Sequence, residues 1–240
     1  SARAMFQQTV PHHNTGGFTS HRVRLPDKEY GQALDCLVKG CSDMLLLSPD
    51  GLKLLLGKRN VQPQPDWWFA GGRIFPGETP SQSCQRLIRR EFGLEIDPAR
   101  FQVVCCQSLA WGMREQPPAS NGTTDLQIVL SLVLTQSEVE KVVLDPKEYA
   151  DSQWVEPSVV LDGSYHPALK FAVGSLLAKR KMDEMREAAA LSPDDHVKIA
   201  KLALEFSSLA TACEPLNGRS SYRVVAPHLN YECDVVVSTT

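Results

Sequence analysis

Apolar residues fall in short runs through the first half of this chain and in longer helical arrays through the second. The segment "CLVKGCSDMLLL" (36–47) has the pattern of a strand, "SPDG" (48–51) that of a turn, and "LKLLLGKR" (52–59) that of the returning strand. Asp50-Gly51 supplies the positive-φ position of the turn, so residues 44–58 are expected to form a β-hairpin. After the loop "NVQPQPD" (60–66), "WWFAGGR" (67–73) reads as a short strand running into glycines. The period then changes. Cys84, Leu87, Ile88 and Glu91 recur at i, i+3, i+4 and i+7, which places them on one face of a helix over 79–92. Thr79 or Ser81 can cap its start with Pro80 in the first turn, and Gly93 suits the left-handed residue that closes it.

Beyond the helix, "FQVVCCQSLAW" (101–111) leads through a loop (112–125) to the alternating strand "LQIVLSLVL" (126–134). "SEVEKVVL" (137–144) reads as a connector, and "EYADSQWVEP" (148–157) ends in a short strand. Two long amphipathic helices follow, over 166–191 and 192–212, the second with Ser192 as its cap. His166, before Pro167, is expected to be a capping or surface residue. Residues 219–240 have β character, and the first 33 residues read as an extended polar arm in which 21–30 could form one short strand. The organisation expected is an arm (1–34), an α/β domain (35–187) and a helical and β extension (188–240).

Composition changes this picture little. Of 240 residues, 42% are hydrophobic and 22% charged, the balance of a globular chain. The formal charge of −3 argues against nucleic acid as the ligand of the whole molecule without excluding a local basic patch. No apolar run approaches the ~20 residues of a membrane span. Seven cysteines, an odd number with no CxxC pair, favour free thiols over a disulfide framework or a zinc site. That usage points to a reducing cytoplasmic or organellar compartment rather than to secretion.

The chemistry sits between 54 and 94. Gly72, Glu78, Arg86, Ile88, Glu91, Gly93 and Leu94 fall on the pattern G-x5-E-x7-R-E-U-x-E-E-x-G-U, where U is bulky and apolar. On those residues the chain resembles the Nudix hydrolases. Leu87 and Arg90 stand where two glutamates of that box belong, so the box is degenerate. "LLLGKRNVQPQPDWWFAGGR" (54–73) and "RLIRREFGL" (86–94) are similar to the corresponding stretches of one subfamily, the GDP-mannose mannosyl hydrolases. The resemblance implies an α/β/α sandwich of Nudix type with a mixed central sheet. It implies that the Gly71 carbonyl, Glu91 and Glu148 hold Mg²⁺ (or Mn²⁺), and that Arg59, Arg73 and Arg86 grip a diphosphate with planar forks. Glu91, Arg59, Arg86 and Glu148 form the catalytic set, and Trp68 is the aromatic expected to stack on a base or sugar.

Two departures qualify the resemblance, at Tyr149 and at "TTDLQIVL" (123–130), which replaces a TTHYVVL-like strand and removes another polar group near the sugar. Tyr149 replaces the subfamily's histidine base and is a poor base at neutral pH, which leaves Glu148 or Asp151 for attack at phosphorus. A cation at Arg90 lying ~4 Å from a divalent ion would repel it by roughly 8 kcal/mol at an effective dielectric of ~20. Arg90 is one step from Glu91, about 100° round the helix, so its long side chain is expected to turn outward; turned inward, it would stand in for the metal by gripping phosphate directly. Glu78 is expected to pin the loop to the helix, with Arg86 as its alternative partner. The function implied is hydrolysis of a nucleoside diphosphate-linked small molecule, GDP-mannose foremost. The alternative is a catalytically silent binding or scaffold module, in a protein or organelle RNA–protein assembly; a third reading, a pyrophosphatase acting on capped or triphosphate RNA ends, lacks support from the overall charge. The extension could serve a homodimer.

Overall fold

A computed structural model describes residues 9–213, 219–225 and 230–237, and divides the chain into two compact units, 1–155 and 156–240. The first unit contains α1 (Asp27–Cys36), β1 (Lys39–Leu47), β2 (Leu54–Arg59), β3 (Trp67–Trp68), β4 (Ala70–Arg73), α2 (Pro80–Phe92), β5 (Gln102–Trp111), β6 (Thr123–Val133), α3 (Gln136–Val139) and β7 (Tyr149–Val155). The second contains α4 (Pro157–Asp162), α5 (Pro167–Leu191), α6 (His196–Cys213) and an antiparallel pair, β8 (Arg219–Val225) and β9 (Asn230–Val237).

The seven strands of the first unit form one mixed sheet, as the α/β reading predicts. The order is β3-β2-β1-β6-β5, with β4 on β1 and β7 on β2. Only β1 and β6 run parallel; the other pairs are antiparallel. As a central strand, β1 is covered on both faces, which is why Met44 to Leu47 are uninterrupted apolar residues. Its second edge is shared. Cys41 to Met44 pair with β4, and only Leu46 and Leu47 pair with β2, so β2 leaves β1 and continues against β7.

The helix α2 is built as its sequence requires. Thr79 and Gln82 form a capping box, Pro80 occupies the first turn, and Gly93 closes the helix at φ 68°. Cys84, Leu87, Ile88 and Phe92 pack with Met44, Leu46, Leu130 and Leu132 in one core cluster. The 44–58 hairpin forms with Gly51 at φ 73°, and the five cysteines with described side chains are free thiols.

Several local expectations change. In place of a strand over 21–30, the arm forms α1 from Asp27, with Asp27 and Glu29 in its first turn, where the helix dipole favours acids. Asp35 of α1 bonds Arg114, a buried arginine in the 112–125 loop, at 2.6 Å, a tertiary contact that local patterning does not encode. β6 begins at Thr123 because Thr123 to Asp125 pair with Leu109 to Trp111. In the second unit, Ser192 closes α5 and Asp195 caps α6, accepting from Lys198 N at 3.0 Å. His166 caps α5 through Nδ1, and burial lowers its pKa to about 4.

Candidate active site

The glycines of β4 are set by their neighbours. A methyl group on Gly71 would overlap the Asp43 carboxylate on β1, and one on Gly72 would press on Leu87 at 3.4 Å. From Arg73 the chain turns through a loop to α2, and Glu78 closes that loop. Glu78 Oε2 accepts from Phe75 N at 3.0 Å, while Arg86 Nε donates to Oε1 at 2.8 Å and Arg86 Nη2 to Oε2 at 2.9 Å. Arg86 Nη2 also donates to the Arg73 carbonyl at 2.9 Å, and its guanidinium lies 3.9 Å from the Phe75 ring centre. Burial acts to raise the Glu78 pKa, but the Arg86 fork and the Phe75 amide outweigh it and hold the carboxyl below its ordinary range. The expected loop-to-helix pin is thus formed, and it engages Arg86.

Arg73 takes a different place from the one the resemblance implies. Its guanidinium stacks between Tyr30 of α1 (4.8 Å) and Phe75 (5.1 Å). Arg22 of the arm joins the same ring at 5.6 Å and lies 3.4 Å from Glu78. Arg73, from the end of β4, and Arg86, from α2, are therefore both engaged at the loop between those two elements.

The other three polar candidates meet at the far end of the helix. Glu91 occupies the last position of the apolar stripe and is 1% exposed. Asp145 N donates to the Glu91 carbonyl at 2.9 Å, and Glu148 N and Tyr149 N both donate to the Asp145 carbonyl at 3.0 Å. This turn delivers Glu148 and Tyr149 to the helix end from 57 and 58 positions along the chain. From the other side, the β2–β7 register sets Arg59 opposite Tyr149, and Asn60 N donates to the Glu148 carbonyl at 2.9 Å. The Tyr149 ring lies over Gly57, where any side chain would collide with it, and 5.7 Å from Phe92.

Both oxygens of Glu91 are taken. Tyr149 Oη donates to Oε2 at 2.6 Å, and Arg90 Nη2 donates to Oε1. The same Arg90 nitrogen lies 4.0 Å from Glu148 Oε1, and Arg59 Nη2 lies 3.7 Å from Glu148 Oε2. Arg90 thus stays half exposed but, where an outward side chain was expected, brings one guanidinium nitrogen onto Glu91, whose buried carboxylate needs a donor. Burial raises the Glu91 pKa, opposed by the Tyr149 hydroxyl and the Arg90 charge. Burial and then the negative charge of Glu91 push Tyr149 well above its usual range, so it is a fixed donor and not a base.

The sequence reading passed over Asp43, Asp125 and Gln127, which lie on neighbouring strands of the same sheet and are all buried. Trp111 Nε1 donates to Asp125 Oδ2 at 2.9 Å, and Lys39 Nζ lies 3.1 Å from Asp125 Oδ1. Burial holds the Asp43 carboxyl far above its usual range, with Gln127 and Arg59 opposing. An aspartate inside the apolar run "SDMLLL" was the available signal. Trp68, expected to face substrate, is 2% exposed and packs against Phe69 and, edge-on, against Trp111. The strand alternation instead turns Trp67 outward, with Lys58 over its ring at 5.9 Å.

Magnesium needs oxygen donors in near-octahedral array. At Glu91 both oxygens are committed to a hydroxyl and a guanidinium, and that guanidinium stands between Glu91 and Glu148. Among the described residues no group of three or more His, Cys, Asp or Glu side chains is arranged to hold a metal. As folded, Gly71, Glu91 and Glu148 do not fit a divalent ion, because the half-exposed Arg90 guanidinium is bonded to Glu91 and lies 4.0 Å from Glu148.

The model of a family described as the NUDIX domain matches residues 42–172, more than half of the chain. A human protein, NAD-capped RNA hydrolase NUDT12, is 30% identical over 119 residues, half of this chain and 22% of that protein. An RNA pyrophosphohydrolase of Acinetobacter baylyi is 28% identical over 120 residues, covering 46% of this chain and 69% of that one. The chain therefore spans less than a quarter of the human relative's length. A solved MutT NUDIX hydrolase from Burkholderia pseudomallei is 17% identical with a TM-score of 0.46, covering 58% of this chain and 98% of that one.

Proposed function

Because this chain belongs to the NUDIX hydrolase family, we propose that it acts on a nucleotide-bearing substrate at a phosphate–phosphate link, with Arg59 and Arg90 gripping the phosphates. The observation carrying this reading is the meeting of Arg59, Arg90, Glu91, Glu148 and Tyr149 at one end of α2, from three separate parts of the chain. Guanidinium forks match phosphate oxygens and would offset the charge that develops on a leaving phosphate. Glu148 is the acid suited to take a proton from an attacking water. It is partly exposed, and no described donor is hydrogen-bonded to its carboxylate. Tyr149 and Glu91 have the supporting role, since both are buried and bonded to each other.

Nudix hydrolases generally use divalent ions such as Mg²⁺; in this chain Arg90 stands at the acids expected to hold one. The two relatives carry names that refer to RNA, one of them to NAD-capped RNA, which favours a dinucleotide-type cap or a 5′-phosphorylated RNA end over a nucleotide sugar. Net charge alone is a poor reason to set nucleic acid aside, since a local cluster such as Arg22, Arg73 and Arg86 around Phe75 is invisible in the total. GDP-mannose keeps the support of the LLLGKR and GGR stretches. A second reading, a binding module without turnover, is favoured by the donors already bonded to both Glu91 oxygens.

The test is a panel of NAD, ADP-ribose, GDP-mannose, 5′-triphosphorylated RNA and NAD-capped RNA, each with Mg²⁺, Mn²⁺ or EDTA. Products would be resolved by chromatography. Hydrolysis that falls about 100-fold or more in Glu148→Gln supports the enzyme. Silence across the whole panel sinks it and leaves the binding module.

A further inference from the structure

We propose that Arg90 is the resident cation of this site, and that with Arg59 it forms a clamp that binds a diphosphate group without a divalent ion. The proposal rests on the phosphate-linked substrate class above, and it comes from the disagreement between the family's usual metal and the side chains present.

Three observations carry it. The first is position. Arg90 Nη2 donates to Glu91 Oε1 and lies 4.0 Å from Glu148 Oε1, so a fixed positive charge sits between the two acids expected to hold a metal. The second is what holds it there. Arg90 belongs to the last turn of α2, which Gly93 terminates, and the exposed carbonyls of a helix C-terminus favour a cation. Glu91, buried and steadied by Tyr149, supplies the directed acceptor. The third is how loosely the remaining acid is bound. Glu148 lies between the two guanidinium groups at 3.7 and 4.0 Å, and neither contact is a hydrogen bond. A carboxylate held so weakly between two forks marks the place of an anion that could bind there better.

A diphosphate carries more negative charge and more acceptor oxygens than the Glu148 carboxylate. The Arg90 side chain is half exposed and is engaged only through Nη2, which leaves Nε and Nη1 to donate. Arg59 offers its own fork from the opposite side of Glu148. Entry of a diphosphate would push the Glu148 carboxylate aside while Glu91 keeps Arg90 in place, so that no ordered metal is needed to bridge acid and phosphate.

The experiment is calorimetric titration of the full chain with inorganic pyrophosphate, in EDTA and in Mg²⁺. Binding in EDTA, weakened about tenfold or more in Arg90→Gln and partly retained in Arg90→Lys, is the expected result. Mn²⁺ monitored by paramagnetic resonance should be held weakly by the wild type and more tightly by Arg90→Glu. Wild-type binding only when Mg²⁺ is present, no binding in either condition, or EDTA binding unchanged in Arg90→Gln each overturns the clamp. Melting curves verify that the variants fold; if Arg90→Gln does not, Arg59→Gln and the wild-type comparison decide. Metal-dependent pyrophosphate binding with turnover would remove the clamp and keep the hydrolase. Metal-free binding with a silent substrate panel would do the reverse.

Discussion

At the loop end of α2, Glu78 is bonded through both oxygens to the Arg86 fork and to the Phe75 amide, with distances of 2.8 to 3.0 Å and the carboxylate almost wholly buried. At the opposite end, Glu148 lies between Arg59 and Arg90 at 3.7 and 4.0 Å, partly open to solvent. The residue types are the same and the consequences differ. A short, bidentate, desolvated pair fixes backbone, because moving either partner leaves a buried charge unpaired. A long, partly solvated one contributes little to stability and is easily exchanged for another anion. The first end is therefore built to hold the loop, and the second to receive a ligand.

The largest effect is expected where the middle of α2 is made to imitate its end. Glu91 tolerates burial because Tyr149 and Arg90 donate to it. Leu87, 1% exposed among apolar neighbours, has no such donors nearby. Leu87→Glu, which puts an unpaired acid among these apolar side chains, should cost about 4 kcal/mol or more in urea unfolding. A near-neutral result would mean that this face of the helix is wetter than its packing indicates.

Next comes the tight end. Glu78→Gln should cost about 2 kcal/mol, less than a fully buried pair because Arg86 is partly exposed. The Glu78 pKa is lowered on folding, so its contribution is present above the ordinary value of 4.5 and is lost as pH falls through the folded value. The stability gap between wild type and Glu78→Gln should therefore close below about pH 4.5. A gap independent of pH would assign the loss to packing instead of charge.

The smallest expected loss is at the open end. Tyr149→Phe removes one donor from Glu91 and should cost about 1–2 kcal/mol. It should also raise the Glu91 pKa further, because the hydroxyl opposes the effect of burial. An acid whose pKa is raised on folding makes stability fall as pH climbs from its ordinary value to its folded one. In Tyr149→Phe that decline should extend to higher pH than in the wild type. An unchanged profile would show that Arg90 alone holds the carboxylate.

Much of α2 and its surroundings was legible from local rules. Thr79, Pro80 and Gly93 bound the helix because capping and left-handed geometry involve only nearby residues. The same holds for Asp50-Gly51 in the hairpin and for Glu78 with Arg86, which are eight residues apart across one turn. The N-terminal helix was not legible, since α1 is tied by Asp35 to Arg114, 79 residues away. Nor was the inward face of Trp68, which rests on contact with Trp111 across the sheet.

By itself the sequence determined the family box, the period and limits of α2, and the identity of the acids and arginines that could act. Only the tertiary structure decided which of them meet. Arg73 went to Tyr30 and Phe75, while Arg59 and Glu148 were brought to Glu91 by the β2–β7 register and the turn at Asp145. It also decided that Arg90, half exposed, turns one guanidinium nitrogen to Glu91, because a buried carboxylate recruits a nearby donor. Charge compensation at Glu91 is a property of the assembled pocket, and no single segment of the chain carries it.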